Sequence, residues 1–261
     1  MNKKTDFILD SMIRAYLNEQ NPIGSMLLQD SLNMPASTIR VYFKQLDNDG
    51  YISKLHASGG RIPTQKAMKY YWKDFFNKIK KLKISVKSDF ELLNIVNSNE
   101  LFCMVIDKEE VFLENVLNIS NRFLILDFNQ GEIVLNFNDE LKILFNELKG
   151  YEINNIKTIL YRLNLVEVLQ KIDGMLSDKI SFLSGEKIFA NIIKLSSFSS
   201  ILGIRLLDYF NDNLIFDELF LPDFMGVRLS CDYKRKKSDL ILAGSIFKDY
   251  ENIINQLREA I

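Results

Sequence analysis

Residues 51–64 read Tyr51-Ile52-Ser53-Lys54-Leu55-His56-Ala57-Ser58-Gly59-Gly60-Arg61-Ile62-Pro63-Thr64, and their pattern decides the fold of the chain's first third. Tyr51 to Leu55 predicts a strand, and His56 to Gly60 a turn whose glycines are free to take positive φ. Arg61-Ile62 then predicts the return strand before Pro63-Thr64 opens a helix. What such a hairpin means depends on the elements before it.

Immediately upstream, Pro35 suits a helix's first turn and Gly50 suits the left-handed residue after its last, while Ile39, Phe43 and Leu46 form an inward stripe. Further upstream, Leu9, Met12, Ile13, Tyr16 and Leu17 follow helical spacing on a segment that Pro22 must end. Between these two helices, Ser25 is placed to cap a short helix over Met26 to Ser31, its hydroxyl accepting from a backbone N–H. Three helices with a tight second-to-third connection and a following hairpin predict a winged helix-turn-helix, in which the third helix enters the DNA major groove.

The third helix's outward face carries Ser37, Arg40, Val41 and Lys44 at i, i+3, i+4 and i+7. Arg40 can donate a bidentate pair to a guanine edge or a phosphate, Lys44 offers a point charge, and Ser37 and Thr38 offer hydrogen bonds. Val41 can meet a thymine methyl. On an isolated helix these residue types would mean no more than a solvated face; the hairpin changes that balance. Its His56, Ser58 and Arg61 can reach the sugar-phosphate backbone or the minor groove, with Gly59 and Gly60 permitting close approach. A turn residue packing on the hairpin base is as good a reading of His56 as a DNA contact.

Charge agrees with this division. The 261 residues carry a net −1, but residues 1–83 hold 14 lysines and arginines against 7 acids, leaving 19 against 27 in residues 84–261. A basic head of about +7 on an acidic body of about −8 suits a polyanion partner at one end only. The exposed lysines Lys73, Lys78, Lys80, Lys81 and Lys83 inflate that count and read equally as solvation. Chemistry is sparse: one histidine and two distant cysteines supply neither a zinc pattern nor a disulfide framework, so Cys103 and Cys231 read as small buried hydrophobes. The longest apolar runs, Leu101 to Ile106 and Leu240 to Phe247, are too short to span a bilayer. The N-terminus lacks the pattern of an export signal, so a cytoplasmic location is expected.

The hairpin also carries a resemblance. His56-Ala57-Ser58-Gly59-Gly60-Arg61-Ile62-Pro63-Thr64 is similar to the His-Thr-Ser-Ala-Gly-Arg-Ile-Pro-Thr signature of the bacterial heat-inducible transcription repressor family HrcA. Pro22-Ile23-Gly24-Ser25, Thr38-Ile39-Arg40, Leu46, Gly50 and Tyr70-Tyr71 match at the right spacing, so the resemblance is continuous over residues 6–72. It departs where Val41-Tyr42-Phe43 stands for Asn-Asp-Met and where Pro35 replaces a small polar residue. Near the C-terminus, Gly244-Ser245-Ile246-Phe247-Lys248-Asp249-Tyr250 keeps only the register of the family's Gly-Pro-Thr-Arg-Met-Asp-Tyr. The resemblance implies a GAF-like body with a reduced inserted dimerisation segment and a homodimer on an inverted-repeat operator of double-stranded DNA, the CIRCE element, upstream of chaperone genes. It further implies that the chaperonin GroEL promotes the active fold.

Past the hairpin, a helix is predicted over Thr64 to Lys83 with Tyr71, Phe75, Ile79 and Leu82 on one stripe. Strands are predicted over Leu101–Ile106, Val111–Leu117, Arg122–Phe128 and Glu132–Phe137, the last two joined by Asn129-Gln130-Gly131. Helices are predicted over Asp139–Lys149, Leu165–Met175 and Ile201–Phe210, followed by a hairpin of Gly226–Tyr233 and Asp239–Phe247 and a helix over Lys248–Glu259. The whole is α+β: residues 1–83 a DNA-binding unit with its linker helix, residues 84–261 the body. No phosphate-binding loop, dinucleotide fingerprint or nucleophile elbow occurs, and no catalytic residue, cofactor or metal is expected. Asp107, Glu109, Glu110 and Glu114 read as a solvated face, Lys234 to Lys237 as a hydrophilic turn, and Phe182 to Glu186 receives no ligand role. A negative transcriptional regulator of chaperone operons, released on heat stress, is therefore the leading expectation. A winged-helix regulator controlled by a small effector in the body, and a sensor or enzyme retaining a degenerate head, are the alternatives.

Overall fold

A computed structural model describes residues 3–54, 59–79, 84–194, 204–210 and 213–259. Its first elements are α1 (Lys3–Glu19), α2 (Gln29–Leu32), α3 (Ala36–Asn48), β1 (Ile52–Lys54), β2 (Arg61–Pro63) and α4 (Gln65–Lys78). β1 and β2 pair antiparallel, Ser53 opposite Ile62. Gly50 follows α3 at φ +73, the left-handed turn that its place in the sequence predicts. Thr64 caps α4, accepting from the Ala67 N–H at 3.4 Å and donating to the Gly50 carbonyl at 2.8 Å.

Two local expectations are corrected. The segment after Gly24 is a run of tight turns, Leu27 N–H donating to Gly24 O and Gln29 N–H to Met26 O, so α2 begins only at Gln29 and Ser25 caps nothing. Leu28 and Leu32 are the buried pair that sets its phase. α4 ends at Lys78 and buries Ala67, Met68, Tyr71, Trp72 and Phe76, leaving Phe75 and Ile79 only half-buried. The stripe rotates because the Trp72 indole N–H finds a buried acceptor, the Ile246 carbonyl at 2.7 Å. Leu82 lies outside the described residues.

The body contains β3 (Ile84–Val86), α5 (Asp89–Ser98), β4 (Phe102–Asp107), β5 (Leu113–Ile119), β6 (Phe123–Phe128), β7 (Gly131–Asn136), α6 (Asp139–Glu147), α7 (Ile153–Arg162) and α8 (Val166–Leu176). It continues with β8 (Ile180–Ser184), α9 (Glu186–Ile192), β9 (Leu214–Ile215), β10 (Phe224–Tyr233), β11 (Lys236–Ser245) and α10 (Tyr250–Glu259). One sheet runs β3-β10-β11-β4-β8 with β9 on the β3 side of β10; a second runs β5-β6-β7. The expected helix at Ile201–Phe210 is 3-10 over Ile204–Tyr209, and residues 201–203 lie outside the described residues.

Period-2 alternation explains why β4 and β11 read as unbroken apolar runs. Cys103, Val105, Leu240 and Leu242 face one core; Phe102, Met104, Ile106, Ile241 and Ala243 face another. The first core continues without interruption into α1, α3 and α4, so the head and the body share it. Arg14 pairs with Glu251 at 2.8 Å, Lys69 with Asp217 at 2.7 Å, and the Trp72 and Tyr250 rings meet edge-to-face at 5.4 Å. Cys103 and Cys231 are free and buried, as the sequence predicts.

The second core is closed by one face of β5-β6-β7. The other face exposes Leu117, Ile119, Phe123 and Val134 in adjoining cross-strand rows, Ile119 opposite Phe123 and Leu117 joined to Val134 through Ile125. Lys234 and Arg235, both at positive φ, form the two-residue turn between β10 and β11. Asp107 departs from the expected solvated face. Its side chain is 11% exposed, accepts from Ser181 at 2.8 Å and Ser238 at 3.2 Å, and pairs with Lys236. Glu109, Glu110 and Glu114 are exposed.

Candidate nucleic-acid interface

The apolar residues Ile39, Phe43 and Leu46 turn inward on α3, which leaves Ser37, Thr38, Arg40, Val41 and Lys44 on its exposed side. Val41, at 69% exposure, is an apolar side chain offered to solvent with no packing role. Pro35 precedes the helix as its N-cap and contributes no capping side chain, so the first-turn N–H groups and the positive end of the helix dipole stay open toward an anion.

The hairpin is held to the rest of the head by more than its turn. Arg61 N–H donates to Ile23 O and Ile23 N–H to Arg61 O, both at 2.8 Å, so the Pro22–Ile23 segment adds a second backbone partner to β2, beside β1. Gly60 makes that approach possible. A Cβ there would lie 2.6 Å from the Pro22 carbonyl oxygen and 2.8 Å from the Ile23 carbonyl carbon. Gly60 does not adopt positive φ; the glycine is required by crowding, where the sequence suggests conformational freedom.

These contacts bring Ser25, Arg40, Gly59, Gly60 and Arg61 around one cleft of about 320 Å³, with Gly24 and Met26 at its edge. Ser25 is buried, and its hydroxyl accepts from Arg40 Nε at 3.1 Å. Arg61 Nη1 donates to Gly59 O at 3.4 Å. Its Nε is buried without a hydrogen-bond partner among the described residues, and the Asp47 carboxylate stands 3.9 Å away. Ser37, Thr38, Val41 and Lys44 lie outside this cleft lining. His56 and Ser58 fall outside the described residues. Sequence reasoning missed Ile23 and Met26; the Ile23–Arg61 pairing spans 38 residues and leaves no periodic trace. It also missed Lys66, which donates to Asp49 O at 2.8 Å beyond the end of α3 and sits 4.2 Å over the Tyr51 ring.

A family model described as the HrcA C-terminal domain matches residues 72–261. The chain belongs to the HrcA family. Two relatives from Helicobacter pylori strains, each named heat-inducible transcription repressor HrcA, are 27% identical to it. The alignments cover 99% and 98% of this chain and 96% and 95% of theirs. A protein of the same name from Chlamydia trachomatis serovar A is 42% identical over 72 residues, which cover 27% of this chain and 18% of that protein. A crystal structure described as a hypothetical protein aligns over 100% of this chain and 98% of its own, with 16% identity and a TM-score of 0.44. The HrcA match begins at Trp72, the residue whose indole ties α4 to the body. Among the described residues, no helix is long and apolar enough to cross a membrane.

Proposed function

We propose that this chain is a heat-inducible transcription repressor of the cytoplasm that binds an inverted-repeat, CIRCE-like operator as a homodimer and does no catalysis. Residues 1–83 are the winged helix-turn-helix and its linker helix, and residues 84–261 the GAF-like body, with β5-β6-β7 and its helices as the inserted segment. α3 is the recognition helix, offering Ser37, Thr38, Arg40, Val41 and Lys44 to the major groove. The β1–β2 wing brings His56, Ser58, Gly59, Gly60 and Arg61 to the backbone, with Ser25 beside them.

The observation that carries this reading is the exposed polar and cationic face of α3 set beside a cleft that unites Ser25, Arg40, Gly60 and Arg61, in a chain of the HrcA family. The exposed apolar rows of β5-β6-β7 are a surface that a two-fold pair would bury, and a two-fold pair reads a palindrome because each recognition helix meets the same half-site. GroEL as the partner that maintains the competent state comes from the family resemblance alone.

The test is titration of the purified chain, with and without GroEL, against a duplex carrying the inverted repeat and a scrambled control at physiological salt. A preference of about a thousandfold or more is expected. Lys44→Ala should weaken all sequences alike and lower the salt slope by about 1. Equal weak binding to both duplexes in both conditions sinks the operator assignment. A second reading, a small effector in the body, is favoured by one cleft of about 260 Å³ whose walls include Lys157, Lys179, Arg228, Glu152 and Asp239. A specific ligand that raises the melting temperature would support it.

A further inference from the structure

We propose that the cleft between the Pro22–Met26 turn, α3 and β2 is a phosphate clamp, in which the guanidiniums of Arg40 and Arg61 close on a single phosphodiester of the DNA backbone. The assignment of the DNA as the source of that phosphate rests on the operator reading above.

Arg40 and Arg61 line one cleft of about 320 Å³, and the only carboxylate within 4 Å of either guanidinium among the described residues is that of Asp47, 3.9 Å from Arg61 Nε and too far to accept its hydrogen. Like charges gathered in a partly desolvated space repel unless an anion sits between them. Arg61 shows the consequence most directly. Its side chain is 16% exposed and its Nε is a buried donor with no acceptor among the described residues, which native structures rarely tolerate outside a binding site.

Arg40 is held differently. Ser25, itself buried, accepts from its Nε at 3.1 Å, which fixes the plane of the guanidinium and leaves Nη1 and Nη2 as the donors for a ligand. Ser25 is thus a positioning residue acting through Arg40. The back wall does not yield: Arg61 and Ile23 exchange two backbone hydrogen bonds, and Gly60 lies against the Pro22 carbonyl with no room for a side chain. One planar fork from α3, another from β2 and a floor with no room for a side chain suit a tetrahedral oxyanion.

The experiment uses the full chain and operator duplexes in which single phosphates are replaced by uncharged methylphosphonates. At one position per half-site the replacement should weaken wild-type binding roughly tenfold, and binding of Arg61→Gln by less, yet change binding of the double variant Arg40→Gln/Arg61→Gln by less than about twofold, because both partners are then gone. Arg61→Lys, which keeps the charge and loses the fork, should fall between wild type and Arg61→Gln, and Ser25→Ala should weaken binding without altering the salt slope. Melting curves of each variant verify that it folds. Losses that add at every phosphate, on a duplex still bound specifically, overturn the clamp and leave the operator reading intact. A duplex that fails to bind overturns the operator reading, and inorganic phosphate then decides the clamp. A melting temperature raised by phosphate in wild type but not in Arg61→Gln keeps it as a site for free phosphate, and no shift in either removes it.

Discussion

Gly60→Ala should be the most damaging of three chemically identical changes in the head. A Cβ at Gly60 would lie 2.6 Å from the Pro22 carbonyl oxygen, 2.7 Å from its carbon and 2.8 Å from the Ile23 carbonyl carbon, all backbone atoms with no rotamer to escape into. The strand must move away, and the two hydrogen bonds between Ile23 and Arg61 go with it. Overpacking costs about 1–3 kcal/mol and each of the two lost bonds about 0.5–1.5 kcal/mol, so a total of about 2–6 kcal/mol is expected. For a chain of this size that corresponds to a fall in melting temperature of roughly 4–24 °C. Gly50→Ala meets nothing within 4 Å but must hold φ +73, which costs about 1 kcal/mol. Gly24→Ala has open space and no positive φ, so it should be neutral or slightly stabilising. Thermal unfolding of the three variants, followed by operator titration, checks the order. If Gly60→Ala melts within a degree of Gly24→Ala, the argument that the hairpin is wedged against Pro22 is wrong.

Two other outcomes follow from the packing of the shared core and its sheet. Trp72→Phe retains a ring but removes the indole N–H that satisfies the Ile246 carbonyl, and should lower the urea-unfolding free energy by about 1–3 kcal/mol; an unchanged value would mean that the bond contributes nothing. Burial pushes both thiols up, that of Cys231 to about 12, so the fold prefers them protonated. That stabilisation is complete below the unfolded value of about 8.5 and is lost as pH rises toward the folded value. The urea midpoint should therefore fall above about pH 8.5, and Cys231→Ala should fall less steeply; parallel slopes in the two proteins would refute the assignment.

Much of the head is legible in the sequence because its signals are local. Pro22 follows α1, Pro35 and Gly50 bracket α3, and Thr64 opens α4, each through the backbone restriction it imposes. The body is less legible. β3 is three residues long and pairs in parallel with β10, nearly 150 residues later, so no local pattern announces it. β8 and α9 are short and meet at Gly185, where the chain turns at φ +81 directly against the Leu101 carbonyl. α7 is a different case, since Ile153, Ile156 and Leu160 carry a readable helical stripe. For the candidate site, the outward residues of α3 follow from periodicity. The cleft does not, because the Ser25–Arg40 bond and the Ile23–Arg61 pairing exist only once α3 and the hairpin have packed.

If the chain pairs on an operator as proposed, the core shared by head and body would turn the molecule into a measuring device. Trp72 and Phe76 of α4 pack on Tyr250, and α1 reaches Glu251 through Arg14, so the head is tied to the body along both helices. In a two-fold pair, the distance between the two α3 helices would be fixed by how the bodies meet and transmitted unchanged through this packing. The number of base pairs between half-sites would then be written in residues that never approach the DNA, and a shift of the bodies by a few ångströms would misalign both heads at once while leaving every base-facing side chain intact.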